Sequence, residues 1–362
     1  MRSGSFTPDA AAMLEYIRSA GVGRINLMEV CGTHTMAIAR AGIKRLLPEN
    51  TALLSGPGCP VCVTPPGAID AVLDLARREE VVIATYGDMI RVPGSKKGDD
   101  LALRRAGGAR VRVVYSPLDA VELARSEQGS QVVFLGVGFE TTAPGTAAAI
   151  EYAAARGIKN FSVFSMLKTV EPALRALIAQ EGFNVQGFLC PGHVATVIGA
   201  RGFDFLPRDF GLPAVVGGFE PAEIIRALFL LVRQIEKGSP ACENAYPRAV
   251  REEGNPLALA AMERVFEPRA DFWRGLGKID ASGLGIREEY AAFDAQRRFS
   301  IIFDGGGEAL APCRCGEVIT GRLDPTGCPL FGTGCTPDEP VGPCMVSSEG
   351  ACAARYKYRE VD

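Results

Sequence analysis

Between about Ile25 and Lys237, short apolar runs alternate with segments whose apolar residues recur every three or four positions. The runs RINLMEV, TALLSG, VVIATY, VRVVY, QVVFLGVG, NFSVFSM, GFLC and PAVVGG read as strands. A helix through Met36 to Leu47 follows the first. Another starts near Pro65–Pro66, where proline suits the first turn because its missing N–H would be unpaired there anyway. Ile69, Val72, Leu73 and Ala76 then fall at helical spacing. A strongly apolar helix from Pro221 to Ile235 closes the series. Strands alternating with helices predict parallel sheets with helices on their faces.

The series also repeats. LMEVCGTHTMAIARA has its counterpart in LGVGFETTAPGTAAAI, SGPGCPVCVTPPGAIDAVL in SMLKTVEPALRALI, and ATYGDMIRVPG in LCPGHVATVIG. A diverged duplication follows, with functional loops at the carboxyl ends of strands. The expected fold is two similar parallel-sheet α/β (Rossmann-like) domains, residues 23–118 and 119–237. A third, mostly helical or irregular domain is built from residues 1–22 with 238–362. Residues 239–300 carry more charge and read as helical, with Trp273 the single tryptophan. The N-terminal helix, roughly Pro8 to Ala20, is expected to pack with this third region.

The 362 residues are 47% hydrophobic and 22% charged, with net charge −3, so nothing steers the chain toward nucleic acid or anionic lipid. No apolar stretch approaches the roughly 18 residues of a membrane span, and the N-terminus has no signal-peptide core. A cytoplasmic protein is expected. There, 11 cysteines point to metal or redox chemistry rather than permanent disulfides.

Six of the cysteines, Cys313, Cys315, Cys328, Cys335, Cys344 and Cys352, crowd into a Gly/Pro-broken tail with no apolar core of its own. Disulfides, zinc or an iron–sulfur cluster must tie it together. The spacings are poor for zinc knuckles, whereas soft thiolates in an irregular loop suit a [4Fe–4S] cluster on four cysteines. Two thiols are then left over as a redox pair.

Three further constellations lie after predicted strands. In EVCGTHT, Cys31 opens a helix, where the dipole should lower its pKa, and His34 lies three residues on. The plain alternative is a half-buried cysteine with a capping histidine. In GPGCPVCVTPP, Cys59 and Cys62 form a C-x-x-C, a redox couple rather than half a zinc knuckle or a structural pair. The loops YGDM with Asp88, GFETTAP with Glu140, Thr141 and Thr142, and PGHV with His193 complete the set. Cys190 and Cys242 read as structural.

With these blocks together and in order over nearly the whole length, the chain closely resembles the HypD family of hydrogenase maturation proteins. The resemblance implies a scaffold, not a conventional turnover enzyme. With a HypC-type chaperone it builds the Fe(CN)2CO group of [NiFe] hydrogenase and accepts cyanide from a HypE-type donor. It implies a monomer when alone, a [4Fe–4S] cluster on Cys313, Cys328, Cys335 and Cys352, and a redox pair in Cys315 and Cys344. Cys31 would be the iron-site thiolate with His34 beside it, in an open cleft between the α/β domains. Cys59 and Cys62 would be an exchangeable dithiol, and Asp88, His193 and Glu349 would help in cyanide transfer or proton handling. A stand-alone, cluster-fed thiol–disulfide reductase is the competing reading, which gives Cys31 and His34 no role. A zinc-stabilised binding module is a third.

Overall fold

The computed structural model describes residues 8–96, 98–303 and 312–359. Parts of the expected third domain, residues 1–7, 304–311 and 360–362, lie outside them. Eight apolar runs form parallel strands: β1 (Ile25–Glu29), β2 (Thr51–Ser55), β3 (Val81–Thr85), β4 (Val111–Val113), β5 (Gln131–Gly138), β6 (Phe161–Leu167), β7 (Gly187–Pro191) and β8 (Ala214–Gly217). A short strand, β9 (Cys242–Asn244), extends the last of these. One sheet runs β2-β1-β7-β8-β9 and the other β4-β3-β5-β6.

The two sheets cut across the expected boundary at 118/119. β1 pairs with β7 through Leu27↔Gly187 to Glu29↔Leu189. β3 pairs with β5 through Val81↔Gln131 to Ala84↔Phe134. Each sheet therefore takes two strands from each half of the chain. The repeat itself has a counterpart in the strand order. Replacing β1, β2, β7 and β8 by β5, β6, β3 and β4 turns the order of the first sheet into that of the second. The halves have exchanged their second strand pairs. Local periodicity specifies a strand, but its neighbour is chosen by tertiary packing.

The core follows this exchange. One cluster of buried residues joins Met28, Val30 and Phe188 of the first sheet to Ile83, Val133 and Phe164 of the second, and continues into Val318, Met345 and the C-terminal cysteines. The outer faces are covered separately. The helix Ala143–Ala155 lies over the second sheet, and the helices Gly32–Ala41 and Pro221–Lys237 over the first. Gly42, at φ 62°, ends the helix Gly32–Ala41 six residues before the expected stop near Leu47. A left-handed residue of this kind is a common helix terminator.

Two further expectations are corrected. The N-terminal helix Pro8–Ser19 buries Ala10, Leu14 and Ile17 chiefly against the helix Pro221–Lys237, with Ala245 the third-region residue that joins the same buried cluster. The rings of Tyr16 and Phe229 meet there edge-on at 4.9 Å. The stretch 239–300 is not helical throughout. After the helix Pro256–Val265 it forms an antiparallel hairpin, β10 (Phe266–Trp273) and β11 (Gly277–Ile286). Among the described residues no helix is long and apolar enough to cross a membrane.

Candidate functional site

Cys31 leaves β1 in extended conformation and caps the helix Gly32–Ala41. Its N–H donates to Glu29 Oε2 at 3.0 Å, and Thr35 Oγ1 donates to the other Glu29 oxygen at 2.6 Å. The loop before the C-x-x-C lies directly on it: Gly32 N–H donates to Gly58 O at 3.0 Å. A methyl group on Gly58 would overlap the Cys31 backbone, and one on Gly32 would stand 2.5 Å from Glu349 Cβ. Cys31 is 7% exposed.

Two expectations for Cys31 fail here. The open cleft is closed over by the Gly58 loop and Glu349. The lowered pKa is raised instead, pushed up from 9.0 to about 12 by burial, with the Glu349 and Glu29 carboxylates adding to it against the backbone N–H groups of His34 and Thr33. Magnitudes decide the sign. A helix terminus contributes roughly 0.3–1 kcal/mol, whereas three pKa units correspond to about 4 kcal/mol.

His34 is fully buried. Its Nε2 lies 2.9 Å from Gly218 O, and a carbonyl only accepts, so Nε2 carries the proton. Burial lowers its pKa to about 4, so the ring is neutral near pH 7. Nδ1 is left as a buried acceptor with no hydrogen-bond partner among the described residues. Phe219 lies between the chain's two histidines, its ring 4.7 Å from that of His34 and 4.0 Å from that of His193. His193 stays exposed at the start of the helix Gly192–Ile198.

Residues 343–349 tie these parts together. Pro343 O lies 3.9 Å from Cys62 Sγ. Cys344 Sγ is 2.6 Å from Cys315 Sγ. Ser347 Oγ donates to Asp88 Oδ2 at 3.2 Å and accepts from the Glu349 N–H at 3.3 Å. Glu349 Oε1 accepts from Thr33 Oγ1 at 2.7 Å. One short segment thus touches the C-x-x-C helix, the YGDM loop, the Cys31 loop and the tail thiols. Cys59 and Cys62 are joined as a disulfide, with Cα atoms 5.2 Å apart.

All six tail cysteines line one cavity, closed by Val318, Leu330, Phe331 and Met345. Among the described residues, no three His, Cys, Asp or Glu side chains close on a point as a single-ion site would. The sulfurs ring a space instead. A methyl group on Gly342 would project into it, 2.8 Å from Cys313 Sγ. An all-thiol donor set around a space kept free by glycine fits an iron–sulfur cluster. The neighbouring thiols of Cys313 and Cys344 hold that of Cys315 well below the ordinary range, and the charge of Arg274 adds to this.

Not every candidate joins the site. Glu140 turns inside the second sheet's end, where Oε1 accepts from the Val170 N–H at 2.8 Å and Oε2 is buried with no hydrogen-bond partner among the described residues. Cys190 is buried in β7, and Cys242 Sγ sits 3.3 Å from Ala200 O. Sequence reasoning missed Ser347, Phe219 and Arg274 as site residues. Ser347 stands two residues before Glu349 and Phe219 directly follows a predicted strand, which is the only signal either gives.

Fold and site together define a two-sheet α/β protein whose strand-end loops meet a C-terminal thiol pocket. The HypD family model, described as "Hydrogenase formation hypA family", matches residues 9–359. The chain is 47% identical to the hydrogenase maturation factor HypD of Rhodobacter capsulatus, over 97% of this chain and 93% of that protein. It is 49% identical to the hydrogenase expression/formation protein HupD of Azotobacter chroococcum, over 92% and 89%. With HypD of Escherichia coli it shares 45% identity over 93% and 90%. The chain belongs to the HypD family.

Proposed function

We propose that this chain is the scaffold on which the Fe(CN)2CO group of [NiFe] hydrogenase is assembled. It would act with a HypC-type chaperone and accept cyanide from a HypE-type donor. The observation that carries the reading is the segment 343–349, which contacts the iron-site loop, the C-x-x-C helix and the tail thiols at once. A plain reductase has no use for Cys31 held between Glu29 and Glu349.

Cys31 would donate the soft thiolate to the cargo iron. Buried and protonated near pH 7, it would release its proton on iron capture. Glu349, over Gly32 and tied to Thr33, is the near carboxylate to receive it. His34 would offer the Nδ1 lone pair and His193 an exposed ring. Asp88 would hold Ser347, and through it the turn that presents Glu349.

A [4Fe–4S] cluster on Cys313, Cys328, Cys335 and Cys352 would supply single electrons. The other thiols exchange by themselves. Cys344 passes its proton to the Cys315 thiolate 2.6 Å away and attacks Cys62 Sγ, forming a Cys62–Cys344 bond and expelling Cys59, which takes up that proton. Cys315 then attacks Cys344 and expels Cys62. The C-x-x-C ends as a dithiol and Cys315–Cys344 as the disulfide, so two electrons have moved.

The test is the infrared spectrum of the anaerobically purified complex with the HypC-type partner. Cyanide and carbonyl stretching bands are expected. Cys31→Ala should remove them and leave absorption near 400 nm intact. Bands that survive in Cys31→Ala refute its role as iron ligand.

A further inference from the structure

The turn between β10 and β11 carries an arginine that the scheme above does not use. Arg274 is 8% exposed. Its backbone N–H donates to Val63 O at 2.8 Å, and its Nε donates to Thr64 O at 3.1 Å. Both acceptors lie at the end of the short helix Pro60–Val63, which carries the Cys59–Cys62 disulfide.

The other side of the turn lies on the tail. A methyl group on Gly275 would stand 2.5 Å from Gly316 O, and Gly316 follows Cys315. Arg274 and Cys313 line the same groove. The outer nitrogen of Arg274, Nη2, is buried with no hydrogen-bond partner among the described residues. Burying a guanidinium costs several kcal/mol unless opposite charge faces it. A thiolate-held centre in the adjoining pocket is such a charge.

We propose that Arg274 is a positioning residue, a buried cation that balances the thiolates of the C-terminal pocket and fixes that pocket against the Cys59–Cys62 helix. The inference rests on reading the pocket as an iron–sulfur site. Each electron added there increases its negative charge. A fixed cation favours the reduced form, and removing it makes the centre harder to reduce.

The experiment uses the full chain, purified anaerobically, as wild type, Arg274→Gln and Arg274→Lys. Gln keeps a donor for Thr64 O without charge, whereas Lys keeps charge without the planar fork. Iron and sulfide per chain are measured first, then the midpoint potential by dithionite titration followed near 400 nm. Arg274→Gln should load iron as the wild type does, yet at fixed potential its reduced-to-oxidised ratio should fall at least tenfold, about 59 mV for one electron. Arg274→Lys should stay within threefold of wild type. If Arg274→Gln fails to load, Arg274→Met and Arg274→Lys make the same comparison. Iron loaded normally with an unmoved potential in the uncharged variant, or an equal fall in the Lys variant, overturns the role of Arg274 alone. A wild type without iron and sulfide overturns the cluster reading itself.

Discussion

At the scale of single residues, burial outweighs motif. Cys31 sits where a helix dipole should activate a thiol, yet desolvation and two carboxylates push it the other way. Glu140 and Glu29 obey the same rule, each pushed from 4.5 up to about 7, chiefly by burial. The sign of the linked stability follows. Below pH 4.5 both carboxyls are protonated whether the chain is folded or not. As the pH rises from 4.5 to 7 the unfolded chain ionises first, so stability falls, by roughly 3 kcal/mol for each group. Glu140→Gln should therefore remove about half of the loss between pH 5 and 7.5 in urea-unfolding midpoints. An unaltered slope would show that Glu140 ionises freely in the folded protein. The motif residues were legible because loop chemistry is written locally in glycine, proline, cysteine and histidine. Which of them are sealed was not legible, since Gly58 and Glu349 cover Cys31 from 27 and 318 positions away in the chain.

Among the elements, the parallel strands could be read as apolar runs because most of them are buried on both faces, the edge strands β2 and β4 being the partly exposed ones. The hairpin β10–β11 could not. Its register shifts between Arg269 and Asp271, and such a bulge switches the phase of strand alternation. Buried Phe266 and Trp273 consequently stand seven apart, which imitates two helical turns. The hairpin is tied to the second sheet by the bonds of Ser165 with Leu284 O and Arg269 and by one buried ion pair. Lys168, just after β6, donates to Asp271 Oδ2 at 2.9 Å and to Phe272 O at 2.7 Å. It also lies 5.2 Å from the Trp273 ring centre, and that ring stacks on Phe139. Lys168→Met leaves Asp271 buried and uncompensated, and should cost on the order of 3–5 kcal/mol in urea unfolding. The double variant Lys168→Met/Asp271→Leu should recover most of it. A double variant no better than the single one would mean that the loss comes from the bond to Phe272 O and not from the ion pair.

For the whole molecule, the exchange of strand pairs between the halves has a chemical consequence. The repeat was visible in the sequence, but the exchange was not, because each half satisfies the strand–helix pattern equally well with either set of neighbours. By sending β7 and β8 to the first sheet, the fold brings Gly218 and Phe219 onto His34 and sets both histidines on one ring. By placing one core between the sheets, it gives the C-terminal segment a surface made of loops from both. Cys62, from the loop after β2, meets Pro343 there, one residue from Cys344. If exchange runs through that contact, stopping it halfway should trap it. The double variant Cys59→Ser/Cys315→Ser leaves neither neighbouring thiol to resolve a Cys62–Cys344 bond, so this variant, oxidised mildly and alkylated, should yield a Cys62–Cys344 cross-linked peptide under non-reducing mass spectrometry. The wild type should show mainly Cys59–Cys62 or Cys315–Cys344 bonds. A double variant with Cys62 and Cys344 both alkylated throughout would mean that the two thiol pairs do not exchange and that electrons reach the iron-site loop by another route.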